Sequence, residues 1–172
     1  MRVRQNNTWI EYLPDIYIYN NGVINTDMFG NLQAYAYVAR VVYDYASLVK
    51  PTVTKNTNSI KLYAYGYDGG DTSTNNSGSY FAINPVDLTN YKTISLEVID
   101  WENKGDSGRT DLRLITTPEI KSMYELSAQI TAEKVGTVTL DVSSLSGEHY
   151  IGISLAGKTS KSITFTEWKL TR

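Results

Sequence analysis

The chain contains no cysteine, and this absence removes several kinds of chemistry at once. Its 172 residues also include only one histidine. Disulfides, thiol nucleophiles and thiolate metal sites are therefore excluded. The single imidazole, His149, has no second histidine with which to share a metal ion or relay a proton, so we expect it to play a structural role at the surface.

Concentrated charge and long apolar runs are also missing. The formal net charge is -2 and the Lys and Arg residues are scattered, so we expect no nucleic-acid partner. No apolar stretch approaches the about 20 residues needed to cross a bilayer, and no signal peptide is legible after Met1. We expect no membrane partner and synthesis in the cytoplasm. The length and the 41% hydrophobic content predict a single domain over 1–172, with a short N-terminal arm at 1–14 left open.

What the sequence does contain is a recurring alternation of apolar and polar residues, which is typical of strands. Ile16 and Ile18 alternate with Tyr17 and Tyr19 up to a turn at 20–22. Similar short strands are predicted around 60–67, 79–83, 93–98, 111–114, 138–142, 151–155 and 163–170. Polar turns separate these strands and no regular helices lie between them. The fold class expected is therefore all-β, an antiparallel β-sandwich of jelly-roll type.

Two segments leave strand and helix open, and one strand contains a change of phase. Residues 32–45 and 119–133 both favour strand over helix. In the last strand, Ile163 and Phe165 occupy odd positions whereas Trp168 and Leu170 occupy even ones. This shift of one residue predicts a β-bulge near Thr166 and Glu167.

Tyrosines on one face of a strand give the clearest functional signal. Lys61, Tyr63, Tyr65 and Tyr67 share one face of the predicted strand, opposite aliphatic and small residues. Flat aromatic rings on a rigid sheet suit stacking on sugars or the centre of a protein interface. We predict that these four residues contact a partner, and that a neighbouring strand adds Tyr17 and Tyr19.

Carboxylates offer weaker alternatives. Asp68 and Asp71 lie in a glycine-rich loop whose oxygens suit a structural Ca²⁺, although turn chemistry alone also explains them. Asp100 and Glu102, with Glu97 nearby, are candidates for the acid pair of a glycosidase. The preferred interpretation is a solvated strand end, so we expect no cofactor and no enzymatic activity.

Strand-and-turn motifs in the second half of the chain resemble a known group of proteins. The motifs are Asp87, Leu88 and Thr89 leading into the strand at 93–98, the turn at 141–147 followed by Tyr150 to Ile153, and the closing strand from Ile163 to Leu170. They resemble carbohydrate-binding-module-like jelly rolls, and look most like β-sandwich proteins of tailed phages and prophages that infect Gram-positive hosts.

The resemblance implies two functions. The first is a non-enzymatic virion structural protein, in the capsid decoration or in the tail or baseplate, contacting other virion proteins and a further copy of itself. Such a protein would be located in the virion, which it reaches without an export signal. The alternative is a receptor-recognition module that binds a cell-surface polysaccharide. The resemblance transfers no functional residue to this chain.

Overall fold

The computed structural model describes residues 2–5, 8–11, 14–37, 51–64, 78–104, 110–115, 126–157 and 159–172. Within these ranges the chain forms strands almost throughout, with one short helix, α1 at Thr26–Phe29. The strands are β1 Arg2–Gln5, β2 Thr8–Glu11, β3 Ile16–Asn20, β4 Val23–Ile24, β5 Gln33–Tyr37, β6 Thr52–Lys55, β7 Ile60–Ala64, β8 Gly78–Ala82, β9 Val86–Asp87, β10 Thr93–Asn103, β11 Thr110–Ile115, β12 Leu126–Thr131, β13 Gly136–Asp141, β14 Glu148–Ala156 and β15 Lys161–Thr171.

Two antiparallel sheets face each other and confirm the predicted all-β sandwich. The first sheet has the order β13-β10-β15-β3-β4, and β7 also pairs with β15 and carries β6 at its far side. The second sheet has the order β12-β11-β14-β8-β5, with β9 paired to β14. The chain crosses from one sheet to the other after nearly every strand or hairpin, as in a jelly roll. Strands β1 and β2 form a separate two-stranded sheet.

The core lies between the sheets and follows the alternation read from the sequence. Ile94, Leu96 and Val98 of β10 point inward, as do Ile151 and Ile153 of β14, and all five are fully buried. Burying one such side chain contributes about 1.5–3 kcal/mol relative to leaving it exposed. The inward faces therefore fix which side of each strand is left for contact with a partner.

A pair of compensating bulges lies where β10 meets β15. Glu97 pairs with Glu167 and Val98 with Phe165, so Thr166 is one residue too many on β15. This confirms the bulge predicted near Thr166. On β10, Val98 pairs with Phe165 and Asp100 with Thr164, so Ile99 is the extra residue there, and it restores the register.

The segments that the sequence left between helix and strand are strands wherever they are described. Strand β5 lies within 32–45, and residues 38–45 fall outside the described ranges. Strand β12 lies within 119–133, and residues 119–125 also fall outside them. Within the described ranges, no helix is long and apolar enough to span a membrane.

Candidate functional site

Lys61 and Tyr63, two of the residues predicted to contact a partner, lie on the outer face of the first sheet. They are two residues apart on β7, and both side chains are half-buried. The Tyr63 hydroxyl lies 3.1 Å from the Ser160 Oγ and forms a hydrogen bond with it. Tyr65, Tyr67, Asp68 and Asp71 fall outside the described residues.

The structure corrects the placement of Tyr19. Tyr17 is half-buried on the outer face, but Tyr19 is in the core with 1% of its surface exposed. The cause is a bulge in β3: Tyr19 pairs with Trp168 and Tyr17 with the next residue of β15, so Ile18 is extra. One added residue moves the following side chains to the opposite face. Tyr19 therefore packs edge-on against Phe165, with ring centroids 5.7 Å apart.

Tyr17 and Tyr63 share the outer face but are far apart along it. Strands β3 and β7 pair end to end with the same edge of β15, where Tyr17 lies opposite Lys169 and Tyr63 opposite Ser162. At about 3.3 Å per residue, these partners are roughly 20 Å apart. The two tyrosines therefore belong to separate surfaces rather than to one platform.

An open groove of about 530 Å³ lies beside Tyr17, between β3, β4 and the beginning of α1. Its lining combines the Tyr17 ring, the apolar side chains of Ile16, Val23 and Ile24, and polar groups from Asp15, Asn20, Asn25, Thr26 and Asp27. Val23 is 66% exposed and supplies an apolar rim. The groove thus offers one aromatic ring, an aliphatic wall and several hydrogen-bonding side chains.

Local sequence explains why the groove forms at this position. Asn21 and Gly22 have φ angles of 48° and 85°. Both angles lie in the left-handed region, as a tight two-residue hairpin turn requires. Asn25 then caps α1, its Oδ1 accepting a hydrogen bond from the Met28 N–H at 3.3 Å. The Asn25 Nδ2 donates to the Tyr17 carbonyl oxygen at 3.4 Å and ties the helix to β3. This cap, an Asn followed two residues later by an Asp, was a legible signal that the sequence analysis missed.

Lys169 contacts two carboxylates and an aromatic ring at one corner of the groove. Its Nζ lies 3.0 Å from the Glu167 Oε1, 3.7 Å from the Asp15 Oδ2 and 5.8 Å from the centroid of the Tyr17 ring. The hydrogen bond to Glu167 raises the pKa of Lys169, and the negative charges of Glu167 and Asp15 act in the same direction against the effect of burial. Lys169 therefore stays protonated and holds the ring and both carboxylates in place.

The carboxylates considered for a glycosidase lie on open surface. The Thr137 hydroxyl donates to the Glu97 Oε2 at 2.6 Å. Asp100 is exposed, and Glu102 is paired with Lys104 at 3.5 Å. Carboxylates on a solvated sheet face commonly make contacts of this kind, and none of them requires a catalytic role.

The outer face of the second sheet carries an aromatic cluster that the sequence analysis did not identify. Tyr80 is fully buried there, packed against Tyr35 and Tyr150. Its hydroxyl lies 2.9 Å from the carbonyl oxygens of Arg113 and Tyr150. The ring lies over Gly152, where a Cβ atom would come within 2.5 Å of the Tyr80 Cζ. Tyr80 itself is therefore part of the packing, whereas the side chains of Tyr35 and Tyr150 are only half-buried.

Metal chemistry finds no support among the described residues. Nowhere in those ranges do three or more His, Cys, Asp or Glu side chains come together as a metal site requires. His149 is 7% exposed rather than at the surface, and its Nε2 lies 3.1 Å from the Ser146 carbonyl oxygen. That contact fastens the turn before β14.

Comparison with known proteins adds little. No protein-family model matches the sequence, and no curated protein matches it. Among solved structures, the chain is similar to CBM28, a carbohydrate-binding module specific for non-crystalline cellulose. The identity is 12%, the match covers 70% of this chain and 73% of that chain, and the TM-score is 0.21. At this TM-score the similarity carries no argument about fold or function.

Proposed function

We propose that the protein is a non-enzymatic carbohydrate-binding module and that the groove beside Tyr17 is its binding site. One observation carries the proposal: a half-exposed aromatic ring forms the wall of an open groove that also presents Asp15, Asn20 and Asp27. A volume of about 530 Å³ lies within the range of small-ligand sites.

The chemistry of the groove matches that of a sugar. A pyranose ring has an apolar C–H face that packs on an aromatic ring, and hydroxyls around its edge that need hydrogen-bond partners. Tyr17 supplies the ring, and the carboxylates of Asp15 and Asp27 are strong acceptors for hydroxyls. Because Tyr17 is held by Lys169 on a rigid sheet, little conformational entropy is lost on binding.

A single ring predicts weak binding by one copy of the module. Binding to a polysaccharide would be strengthened when several copies engage the same chain or cell surface, because the later contacts are intramolecular. The assay therefore needs polymeric ligands.

The test is affinity electrophoresis of the purified protein through gels that contain bacterial cell-wall or capsular polysaccharides. We expect saturable retardation by at least one polymer. Tyr17→Ala should weaken it about tenfold, or about 1.4 kcal/mol, whereas Tyr17→Phe keeps the ring and most of the affinity. Tyr63→Ala is the matched control, a tyrosine removed from the same sheet face outside the groove.

Three outcomes decide the proposal, provided that thermal melting shows each variant to be folded. Loss of binding in Tyr17→Ala alone supports it. Loss in Tyr63→Ala alone would move the site to the surface around Lys61 and Tyr63. No retardation by any polymer, even after the protein is fused to a multimerising tag, would contradict carbohydrate binding.

The virion role stays a prediction from the sequence resemblance. It is compatible with carbohydrate binding, since a receptor-recognition module is itself a virion component. Immunogold electron microscopy of intact virions tests it, and virions without label would argue against it.

A further inference from the structure

Large apolar side chains are rarely exposed in the part of the chain that the structure describes, and those that are fall into two pairs. Val23 and Met28 are 66% and 55% exposed, and Ile99 and Val135 are 47% and 68% exposed. Single apolar residues scattered over a surface need no explanation, whereas apolar residues that lie together mark sites of contact. Each pair is therefore a candidate for contact with a partner.

The first pair lies at the β4 edge of the first sheet. Val23 is on β4, the last strand in the order of that sheet, and Met28 is in α1, the next element of the chain. Asp27 precedes Met28 and lines the same groove as Val23. Its carboxylate is exposed and has no ion pair among the described residues. We call Val23, Asp27 and Met28 the acidic patch.

The second pair lies at the opposite edge of the same sheet, where β10 meets β13. Val98 pairs with Gly136, so Ile99 and Val135, the next residues in the same direction along the two strands, are neighbours. Ile99 is the extra residue of the bulge in β10, and bulges re-aim a side chain in this way. Lys134 precedes Val135 and is exposed, with no ion pair to any described residue. We call Ile99, Lys134 and Val135 the basic patch.

The carboxylates next to the basic patch do not cancel the charge of Lys134. The Glu133 Oε1 accepts hydrogen bonds from the Asn103 Nδ2 at 3.2 Å and from the Thr110 N–H at 2.9 Å. Asp100 lies on the outer face of the sheet, within the ladder between β10 and β15. Lys134 is thus the charged side chain that this edge presents together with its two apolar residues.

The two patches lie at nearly the same height on the sheet. One row of paired residues crosses it from edge to edge: Val23, Asn20, Glu167, Glu97 and Thr137. The row spans β4, β3, β15, β10 and β13, so at about 4.8 Å between strands it is roughly 19 Å long. Val135 is two residues beyond its end. A second copy placed beside the first, displaced across the strands, therefore brings the acidic patch of one to the basic patch of the other.

We propose that copies of this chain associate head to tail through these two patches. In each contact the two apolar pairs leave water, and the Asp27 carboxylate meets the Lys134 ammonium of the neighbouring copy. A two-fold contact would instead bring together two acids or two bases. Because every copy keeps one free patch of each kind, the contact continues into rings or filaments.

The association of isolated copies is weak. Three side chains on each side bury far less than the roughly 1,200–2,000 Å² of a stable specific interface. The contact therefore forms at high protein concentration, or where copies are already held side by side, because the later contacts are then intramolecular.

Sedimentation velocity over a series of protein concentrations tests the charge pairing. It is run without polysaccharide, since Val23 and Asp27 also line the groove. We expect the wild type to sediment faster as its concentration rises. Asp27→Lys and Lys134→Glu each put like charges together and should weaken association at least about fivefold. The double variant carries the exchanged pair and should regain it. Glu148→Lys, an exposed carboxylate of the second sheet, is the control and should associate normally.

Cysteine cross-linking tests the head-to-tail geometry, because the chain has no cysteine of its own. Under mild oxidation, a chain that carries both Met28→Cys and Val135→Cys should give a ladder of dimers, trimers and larger species. A mixture of the two single variants should stop at dimers, and neither single variant alone should cross-link above background.

Thermal melting first establishes that each variant is folded. A sedimentation coefficient that does not change with concentration overturns the inference. So does association that survives both charge reversals, a double variant that stays monomeric, or efficient dimers of one single-cysteine variant. Tyr17→Ala should associate as the wild type does, so failure of carbohydrate binding and failure of association are observed separately.

Discussion

At the scale of single residues, Tyr17 and Tyr19 show what alternation reveals and what it hides. Both occupy odd positions, so alternation predicts that they share one face of β3. The extra residue Ile18 places their side chains on opposite faces. The bulge at Thr166 was legible because Phe165 and Trp168 are plainly apolar residues of opposite parity. A tyrosine suits either face of a sheet, so the bulge in β3 left no mark in the sequence.

The close approach of Tyr80 to Gly152 gives the first residue-scale prediction. Gly152→Ala would place a Cβ atom 2.5 Å from the Tyr80 ring and 2.6 Å from the Phe81 carbonyl oxygen. The ring must move and its hydroxyl loses its carbonyl partners, so we expect a loss of about 1–3 kcal/mol in unfolding free energy. Urea denaturation measures it.

Ser154→Ala is the control for that substitution. Ser154 is on the same face of β14, two residues along, and is fully buried. Its hydroxyl has no hydrogen-bond partner among the described residues, so removing it should cost nothing and can even stabilise the fold. Equal losses in both variants would show that β14 tolerates no change at all, and the argument from Tyr80 would fail.

Asp87 gives a prediction about pH. Hydrogen bonds from the Thr89 hydroxyl and the Thr89 N–H, at 2.6 and 3.0 Å, lower the pKa of its carboxyl. A lowered pKa means that Asp87 stabilises the folded state above its unfolded pKa of about 3.9, and that this contribution is lost as the pH falls through the lower folded value.

We therefore expect Asp87→Asn to melt at a lower temperature than wild type at pH 7, with the difference shrinking below pH of about 4. Asp100→Asn, an exposed Asp that accepts no described hydrogen bond, is the control and should leave the melting curve unchanged. A melting difference for Asp87→Asn that stays constant from pH 7 to pH 3 would contradict the assigned role. The result bears on the sequence resemblance, since Asp87 belongs to one of its motifs and has a turn-forming function.

At the scale of elements, the two bulges between β10 and β15 act as one unit. Thr166 is the extra residue on β15 and Ile99 the extra residue on β10, with Val98 and Phe165 paired between them. If only one of the two strands lost its extra residue, the register would shift on one side of the bulges. Inward-facing side chains there would then point outward.

A deletion series tests this coupling. Deleting Thr166 alone shifts one half of β15 by one residue and exposes its buried face, so we expect a loss of more than about 3 kcal/mol. Deleting Thr166 and Ile99 together restores a regular ladder with the same inward residues, and should recover most of that loss. The double-mutant cycle by urea denaturation gives the coupling energy. Additive losses would show that each bulge serves a separate purpose.

Element boundaries were largely predictable, and their arrangement in sheets was not. Alternation located strands such as β10, β13 and β14, because each buries one face. The four-residue helix α1 is too short to show a period. Nothing local states that β15 lies between β10 on one side and β3 and β7 on the other, since that pairing depends on residues far apart in the chain.

At the scale of the whole molecule, the predicted sandwich is confirmed, and the candidate site differs from the expected one. The sequence placed contacts on a run of tyrosines that includes Tyr63, and the described structure adds a groove at Tyr17, roughly 20 Å away along β15. That groove depends on a hairpin, a short helix and a distant lysine meeting at one corner. Its components were visible in the sequence, but their convergence required the fold.

The order of strands also has a consequence for synthesis. β15 joins β10, β3 and β7 in the first sheet, and β14 joins β11, β8 and β9 in the second, yet both follow all of those partners in the chain. Neither sheet can be completed until the ribosome has made residues 148–171. Until then the nascent chain can form only separate two-stranded pairs with unpaired edges, which are prone to aggregate. We therefore expect the sandwich to fold only after β15 has been synthesised, and its folding to benefit from chaperones that cover strand edges.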